Sequence, residues 1–156
     1  MSVRRPSSLA SARRRRSTPE GDRYSRRSKP TNSEGDYLAL RRAIARVYRQ
    51  HLPPEVREPH AAKGAEHSYH QFVIVSSQRD AIIRRLDEEG IGYGIHYPTP
   101  IHLMRGYEFL GYNPGTLPVT ERAAREVLSL PCYPELPLKA VRRVCSAVND
   151  VARSKS

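Results

Sequence analysis

Amphipathic helical stretches alternate with short apolar stretches along most of this 156-residue chain. In four stretches the apolar side chains recur at three- and four-residue steps, which predicts four helices that each bury one face. These stretches are residues 37–50, 80–89, 118–128 and 138–151. Gly90 supplies a left-handed stop after the second of them. Residues 102–110 predict a further, shorter helical stretch.

Two short stretches between these helices have the composition of β-strands. Residues 69–75 (YHQFVIV) are aromatic and β-branched, and residues 91–97 are apolar and punctuated by Gly92 and Gly94. The segment SLPCYPELP that follows the third helix is extended because of its three prolines. Strands separated by helices predict an α/β fold, a small sandwich of a few short strands packed with helices.

The positive charge is concentrated at the N-terminal end. Residues 1–30 hold nine arginines and one lysine against Glu20 and Asp22, a net charge of +8 out of +11 for the chain. This segment is rich in Ser and Pro and poor in large apolar residues, so burial cannot offset the entropy of ordering it. We therefore predict a disordered basic tail over residues 1–32 and one folded domain over residues 33–156.

The sequence also indicates the cellular location of the protein and the oxidation state of its cysteines. No apolar stretch follows the basic start, so no secretory signal is predicted, although the Arg- and Ser-rich composition overlaps with that of organellar transit peptides. No stretch is apolar enough to span a membrane, and we predict a cytoplasmic protein. Cys132 and Cys145 form no CxxC pair, which predicts two reduced, partly buried thiols.

Several motifs resemble one enzyme family. The stretch GIGYGIHYPTPIHL and the later SLPCYPEL occur in the order and at the spacing seen in the small domain of the DegT/DnrJ/StrS sugar aminotransferases, and the resemblance covers residues 36–151. It implies a small-domain sandwich from the C-terminal part of a fold-type I enzyme. Such enzymes use pyridoxal phosphate to transfer an amino group onto a keto sugar attached to a nucleotide.

The resemblance does not extend to the cofactor site. In the family a lysine holds pyridoxal phosphate as a Schiff base. None of Lys29, Lys63, Lys139 and Lys155 lies in a context similar to that of the family lysine, and the segments that precede it in relatives are missing. We therefore assign no catalytic and no cofactor-binding residue, and expect the chain alone to bind no pyridoxal phosphate.

Two positions depart from the family pattern inside the matching region. Relatives often carry Arg where this chain has Val75, and a Thr or Ser that caps the last helix where this chain has Pro137. Loss of a side-chain cap costs about 1 kcal/mol. We therefore expect a frayed start of the last helix.

His96, Tyr97 and His102 are the substrate-binding residues that the resemblance implies. They lie in a turn stiffened by Pro98 and Pro100, which presents side chains at little entropic cost. The alternative is that these side chains simply pack at the domain surface. A zinc site built from His67, His70, His96 and His102 is disfavoured because no cysteine or carboxylate completes a tetrahedron, so no metal is assigned.

We expect a remnant or split-off small domain of a nucleotide-sugar aminotransferase that is inactive alone. Its partner would be a large domain supplied in trans, or a second copy, and a sugar nucleotide would bind only in the completed site. The alternative is a small basic interaction protein that uses Arg4 to Arg27 for non-specific binding to nucleic acid or an acidic partner. The two hypotheses place binding on different residues.

Overall fold

A computed structural model describes residues 34–154, with side chains from residue 36 onward. Four α-helices, two strands and two short 3-10 helices make up the fold. In chain order they are α1 (Glu34–His51), β1 (Phe72–Val75), α2 (Arg79–Glu88), the 3-10 helices Ile101–Leu103 and Arg105–Leu110, α3 (Pro118–Glu126), β2 (Val127–Leu130) and α4 (Leu138–Arg153). The predicted α/β class and all four predicted helices are confirmed.

The two strands form an antiparallel sheet with Phe72 opposite Leu130 and Val75 opposite Val127. The amphipathic helix α4 packs against α1 and α2 and carries six buried residues. The core between sheet and helices is aromatic at one end, where the buried Tyr48 ring stacks on Phe72 with centroids 4.6 Å apart.

The predicted strand over residues 91–97 is wrong. Only Gly94 pairs with β2, through an isolated antiparallel bridge to Ser129. In an antiparallel ladder the next hydrogen-bonded pairs would be Gly92 with Pro131 and His96 with Val127. Pro131 has no N–H to donate, and the N–H of Val127 already bonds the carbonyl of Ala123. The ladder therefore stops after one pair.

The predicted helix over residues 118–128 ends two residues early. Val127 has extended dihedral angles, and residues 127–130 pair with β1 as β2. The C-terminus of α3 is also capped by α2, because the Arg79 guanidinium donates a 2.8 Å hydrogen bond to the Ala124 carbonyl. The periodicity of residues 118–128 could not show a partner strand and a capping arginine about fifty residues earlier in the chain.

Two other sequence predictions concern α4 and the cysteines. Pro137 precedes α4 without any side-chain cap, and its carbonyl accepts the N–H groups of Ala140 and Val141, so α4 begins at Leu138 and the expected fraying stays a prediction. Both cysteines are free and buried, as predicted. Burial raises the pKa of Cys145 to about 11, which makes this thiol unreactive at neutral pH.

Within residues 34–154 no helix is both long enough and apolar enough to span a bilayer. The predicted cytoplasmic location stays a prediction. The predicted disorder of residues 1–32 and the alternative binding segment from Arg4 to Arg27 lie outside the described residues.

Candidate functional site

His96 is held in place by the single bridge between Gly94 and β2. The backbone of Gly94 exchanges two hydrogen bonds with Ser129, of 3.0 and 2.7 Å, and the Ser129 hydroxyl lies 2.9 Å from His96 Nδ1. The imidazole then lies over Gly94 so closely that a Cβ on residue 94 would stand 2.6 Å from Cε1. Glycine is therefore required at position 94 for this placement of His96.

Two cavities meet at His96. A groove of about 690 Å³ opens where the ladder stops, between the backbone of residues 90–94 and that of residues 129–133, and Tyr93 and Tyr133 line it. A smaller cavity of about 230 Å³ lies beside it and is lined by Tyr97, Ile101 and residues of α3. Because Nδ1 faces Ser129, Nε2 is left without a partner among the described residues.

Tyr97 stands next to His96 in the turn and is 71% exposed. Its ring meets the imidazole edge to face, with centroids 5.6 Å apart. The phenol hydroxyl has no bonding partner within residues 34–154. The structure thus brings His96 and Tyr97 together as two neighbouring groups that can donate and accept hydrogen bonds at a cavity mouth.

His102 does not join them. Its side chain is buried at 7% exposure and lines neither cavity. Nε2 lies 3.2 Å from Glu121 Oε1, and the ring contacts Tyr112 edge to face. The geometry favours a role for His102 in holding its loop, and its role in substrate binding stays a prediction.

Sequence reasoning missed Glu121. Its carboxylate accepts the N–H of Gly115 through both oxygens, at 2.8 and 2.9 Å, and the N–H of Leu117 at 3.2 Å. The Gly115 N–H is the largest cause of a lowered pKa for Glu121, and the bond with His102 adds to it. The available signal was an acidic residue three positions before Ala124 on the apolar face of α3.

Exposed apolar side chains are concentrated in one segment. Of the twelve large apolar side chains that are exposed in the described part of the chain, eight lie between residues 97 and 119. We call these eight the apolar surface: Tyr97, Ile101, Tyr107, Phe109, Leu110, Tyr112, Leu117 and Val119. Such a concentration is typical of a surface that another protein covers. Of Ile95, Ile101 and Leu103, the apolar residues on either side of the turn that holds His96, only Ile101 is exposed.

Groups that hold metals are not assembled in the described residues. Among residues 34–154 no set of three or more His, Cys, Asp or Glu side chains is placed to bind an ion. His67 is engaged locally, since its Nδ1 accepts the N–H of Tyr69 at 2.8 Å. The histidines considered for zinc thus do not converge.

This architecture is that of one part of an aminotransferase. It superimposes on the S. venezuelae DesV structure in complex with a ketimine intermediate with a TM-score of 0.72 and 34% identity, over 76% of this chain and 32% of that one. A DegT DnrJ EryC1 StrS aminotransferase from Brucella abortus gives a TM-score of 0.66 at 32% identity, over 74% of this chain and 31% of that one.

The sequence comparison gives the family. The DegT/DnrJ/EryC1/StrS aminotransferase family matches residues 35–149, and the chain belongs to it. The dTDP-3-amino-3,4,6-trideoxy-alpha-D-glucose transaminase of Micromonospora megalomicea subsp. nigra is 42% identical over 122 residues, which are 74% of this chain and 32% of that protein. The chain therefore spans about a third of the length of the relatives that it matches.

The family uses pyridoxal phosphate, and the described lysines do not fit that group. Lys63 and Lys139 are exposed and line neither the groove nor the smaller cavity. A Schiff-base lysine must stand inside a site that fixes the cofactor ring and phosphate. Lys29 and Lys155 lie outside the described residues. The expectation that this chain alone binds no pyridoxal phosphate stays a prediction.

Proposed function

We propose that this chain is the small-domain part of a pyridoxal-phosphate-dependent nucleotide-sugar aminotransferase, inactive alone and completed by a large domain from another polypeptide. The large domain would hold the cofactor. This chain would bind and orient the sugar substrate during transfer of an amino group to its keto carbon. The nucleotide-sugar substrate is proposed from the relatives, several of which are named as transaminases of dTDP or UDP sugars.

The observation that carries the proposal is the position of His96. Its Nδ1 bonds the hydroxyl of Ser129, the residue that pairs with Gly94, and its ring lines both cavities. Its Nε2 has no partner among the described residues and can bond a ligand. An imidazole held by Ser129 and an adjacent phenol suit the hydroxyl and phosphate oxygens of a sugar nucleotide, because the phenol can donate a hydrogen bond and Nε2 also donates when Nδ1 accepts the Ser129 hydroxyl. We propose that His96 and Tyr97 contact the substrate and that His102 supports their loop.

The apolar surface supports the proposal of a partner. Large apolar side chains in contact with water favour association with another protein surface, and eight of them lie within residues 97–119. A large domain that covers residues 97–119 would also close the open side of the site at His96. Self-association through the same surface is the competing outcome.

The test uses the full chain mixed with the separately expressed large domain of the Micromonospora relative. Sedimentation measures association, and titration with a dTDP sugar measures ligand binding. His96→Ala is expected to weaken ligand binding about tenfold or more while leaving association intact, and His60→Ala is the control because His60 is exposed and lines neither cavity. Equal ligand binding by the His96→Ala and parent complexes would contradict the proposal.

A second pair of variants tests the docking. Phe109→Asp places a charge on the most exposed member of the apolar surface, at 81% exposure, and does not touch the smaller cavity. It is expected to abolish association with the large domain because a buried unpaired charge is costly. Leu40→Asp, on α1, is the matched control. If the two variants associate equally well, residues 97–119 are not the docking surface.

A further inference from the structure

Four hydrogen bonds converge on one buried carboxylate. Glu121 is 7% exposed; its Oε1 bonds His102 and the N–H groups of Gly115 and Leu117, and its Oε2 also accepts the Gly115 N–H. These partners stand at the two ends of the segment formed by residues 103–114. The Glu121 side chain on α3 therefore connects both ends of this twelve-residue loop.

That segment has little else to hold it. Residues 105–114 are all exposed, and the 3-10 helix Arg105–Leu110 contains no buried residue. Segments with few buried contacts open at low free energy unless their ends are fixed. Internal support is local: the Tyr107 N–H donates to the Met104 carbonyl at 2.8 Å, the Thr116 hydroxyl donates to the Asn113 carbonyl at 2.6 Å, and Tyr112 contacts His102.

Helix capping alone does not account for these contacts. Leu117 is the N-cap residue of α3, so its bond to Glu121 belongs to the helix terminus. Gly115 and His102 lie outside α3, yet they provide the other three bonds. A carboxylate that only capped the helix would have no need of a buried histidine from another part of the chain.

We infer that Glu121 is a positioning residue: by closing residues 102–117 into a fixed loop, it holds the apolar side chains Tyr107, Phe109 and Leu110 in the arrangement that a partner meets. The closure itself stands on the hydrogen bonds of this chain. Only the identity of the partner, an aminotransferase large domain, rests on the proposed function.

Amide hydrogen exchange of the full chain tests the closure. Glu121→Gln keeps the size of the side chain but removes the charge and replaces one acceptor oxygen by a donor NH₂. Exchange in residues 103–117 is expected to become about tenfold faster or more, while β1 and α4 keep their protection. Glu126→Gln is the control, because Glu126 is also on α3 and its half-buried side chain pairs, among residues 34–154, with the exposed Arg57; it should leave residues 103–117 unchanged.

Two exchange results would overturn the inference. Unchanged exchange in residues 103–117 would show that Glu121 does not hold them, and a uniform increase over the whole domain would show that Glu121 only stabilises the fold. If Glu121→Gln does not fold, amide exchange of the parent chain still tests the loop closure. The Gly115 and Leu117 amides must then be protected relative to other exposed loop amides, and exchange at unprotected rates would overturn the closure.

Association with the large domain of the Micromonospora relative tests the consequence. Glu121→Gln is expected to weaken it about tenfold, mainly through slower association, because the loop must be ordered before it docks. Locally faster exchange with unchanged association would overturn the positioning role. If the parent chain does not bind the large domain at all, the proposed function fails, whereas the exchange result on loop closure stands separately.

Discussion

The phenol of Tyr48 on α1 donates a 2.8 Å hydrogen bond to the carbonyl of Pro131, which follows β2. The two residues are 83 positions apart in the chain. Tyr48 is fully buried against Phe72, and burial raises the pKa of its hydroxyl well above the ordinary value, so this group stays a donor at all accessible pH. The bond fixes the wall of the groove to the core of the domain.

Tyr48→Phe removes this donor and leaves the Pro131 carbonyl without it. The free energy of unfolding is expected to fall by about 1 kcal/mol, the usual net contribution of one intramolecular hydrogen bond, because the Pro131 carbonyl is only partly buried and lines the open groove. Urea unfolding followed by circular dichroism measures the change. Tyr97→Phe is the control, since that hydroxyl bonds nothing in residues 34–154, and its stability should match the parent. Equal stability of both variants would contradict the assigned role of the Tyr48 bond.

Gly94→Ala should displace the His96 ring, because the new Cβ would stand 2.6 Å from Cε1. The ring can rotate away, so the domain is expected to stay folded while the His96 bond to Ser129 is lost. NMR of the imidazole reports the displacement, and ligand binding in the completed complex should fall as far as it does for His96→Ala. Gly92→Ala provides the comparison, since nothing lies within 4 Å of its added Cβ. An unmoved His96 signal in Gly94→Ala would refute the predicted clash.

Stability should depend on pH through Glu121. Its pKa is lowered in the folded chain, chiefly by the Gly115 N–H, whereas an unfolded glutamate has a pKa of about 4.3. The carboxylate therefore stabilises the fold above the unfolded pKa, and this contribution is lost as the pH falls through the folded pKa. Glu121→Gln should unfold with a weaker pH dependence on the acid side. Urea unfolding at a series of acidic pH values measures this, and the same pH dependence of the free energy of unfolding in variant and parent would contradict the prediction.

The purified chain is expected to form no stable internal aldimine with pyridoxal phosphate. Lys63 and Lys139 are exposed, so any imine they form is open to water and should be lost on dialysis. Absorbance spectra before and after dialysis of the chain incubated with the cofactor make the measurement. A band that survives dialysis and disappears on substitution of one lysine by arginine would contradict the expectation.

Local patterns in the sequence predicted the helices correctly. Each helix has apolar residues at helical spacing, and its stops, such as Gly90 with φ of 63°, act within one turn. The first strand followed from its own β-branched composition, although β1 covers Phe72–Val75 and not the predicted residues 69–71. The family likewise followed from short motifs, because residues that shape a turn such as HYPTP are adjacent in the chain.

Tertiary structure alone decided the rest. Val127 to Leu130 became a strand because β1 offers it a partner, and residues 91–97 did not because Pro131 and the engaged Val127 N–H stop the ladder. From its sequence context Glu121 resembles an exposed acidic residue of α3, yet it is buried and bonded to residues 102, 115 and 117. The physical reason is the same in each case: a backbone or carboxylate hydrogen bond depends on which distant group remains unpaired, and only the folded chain determines that.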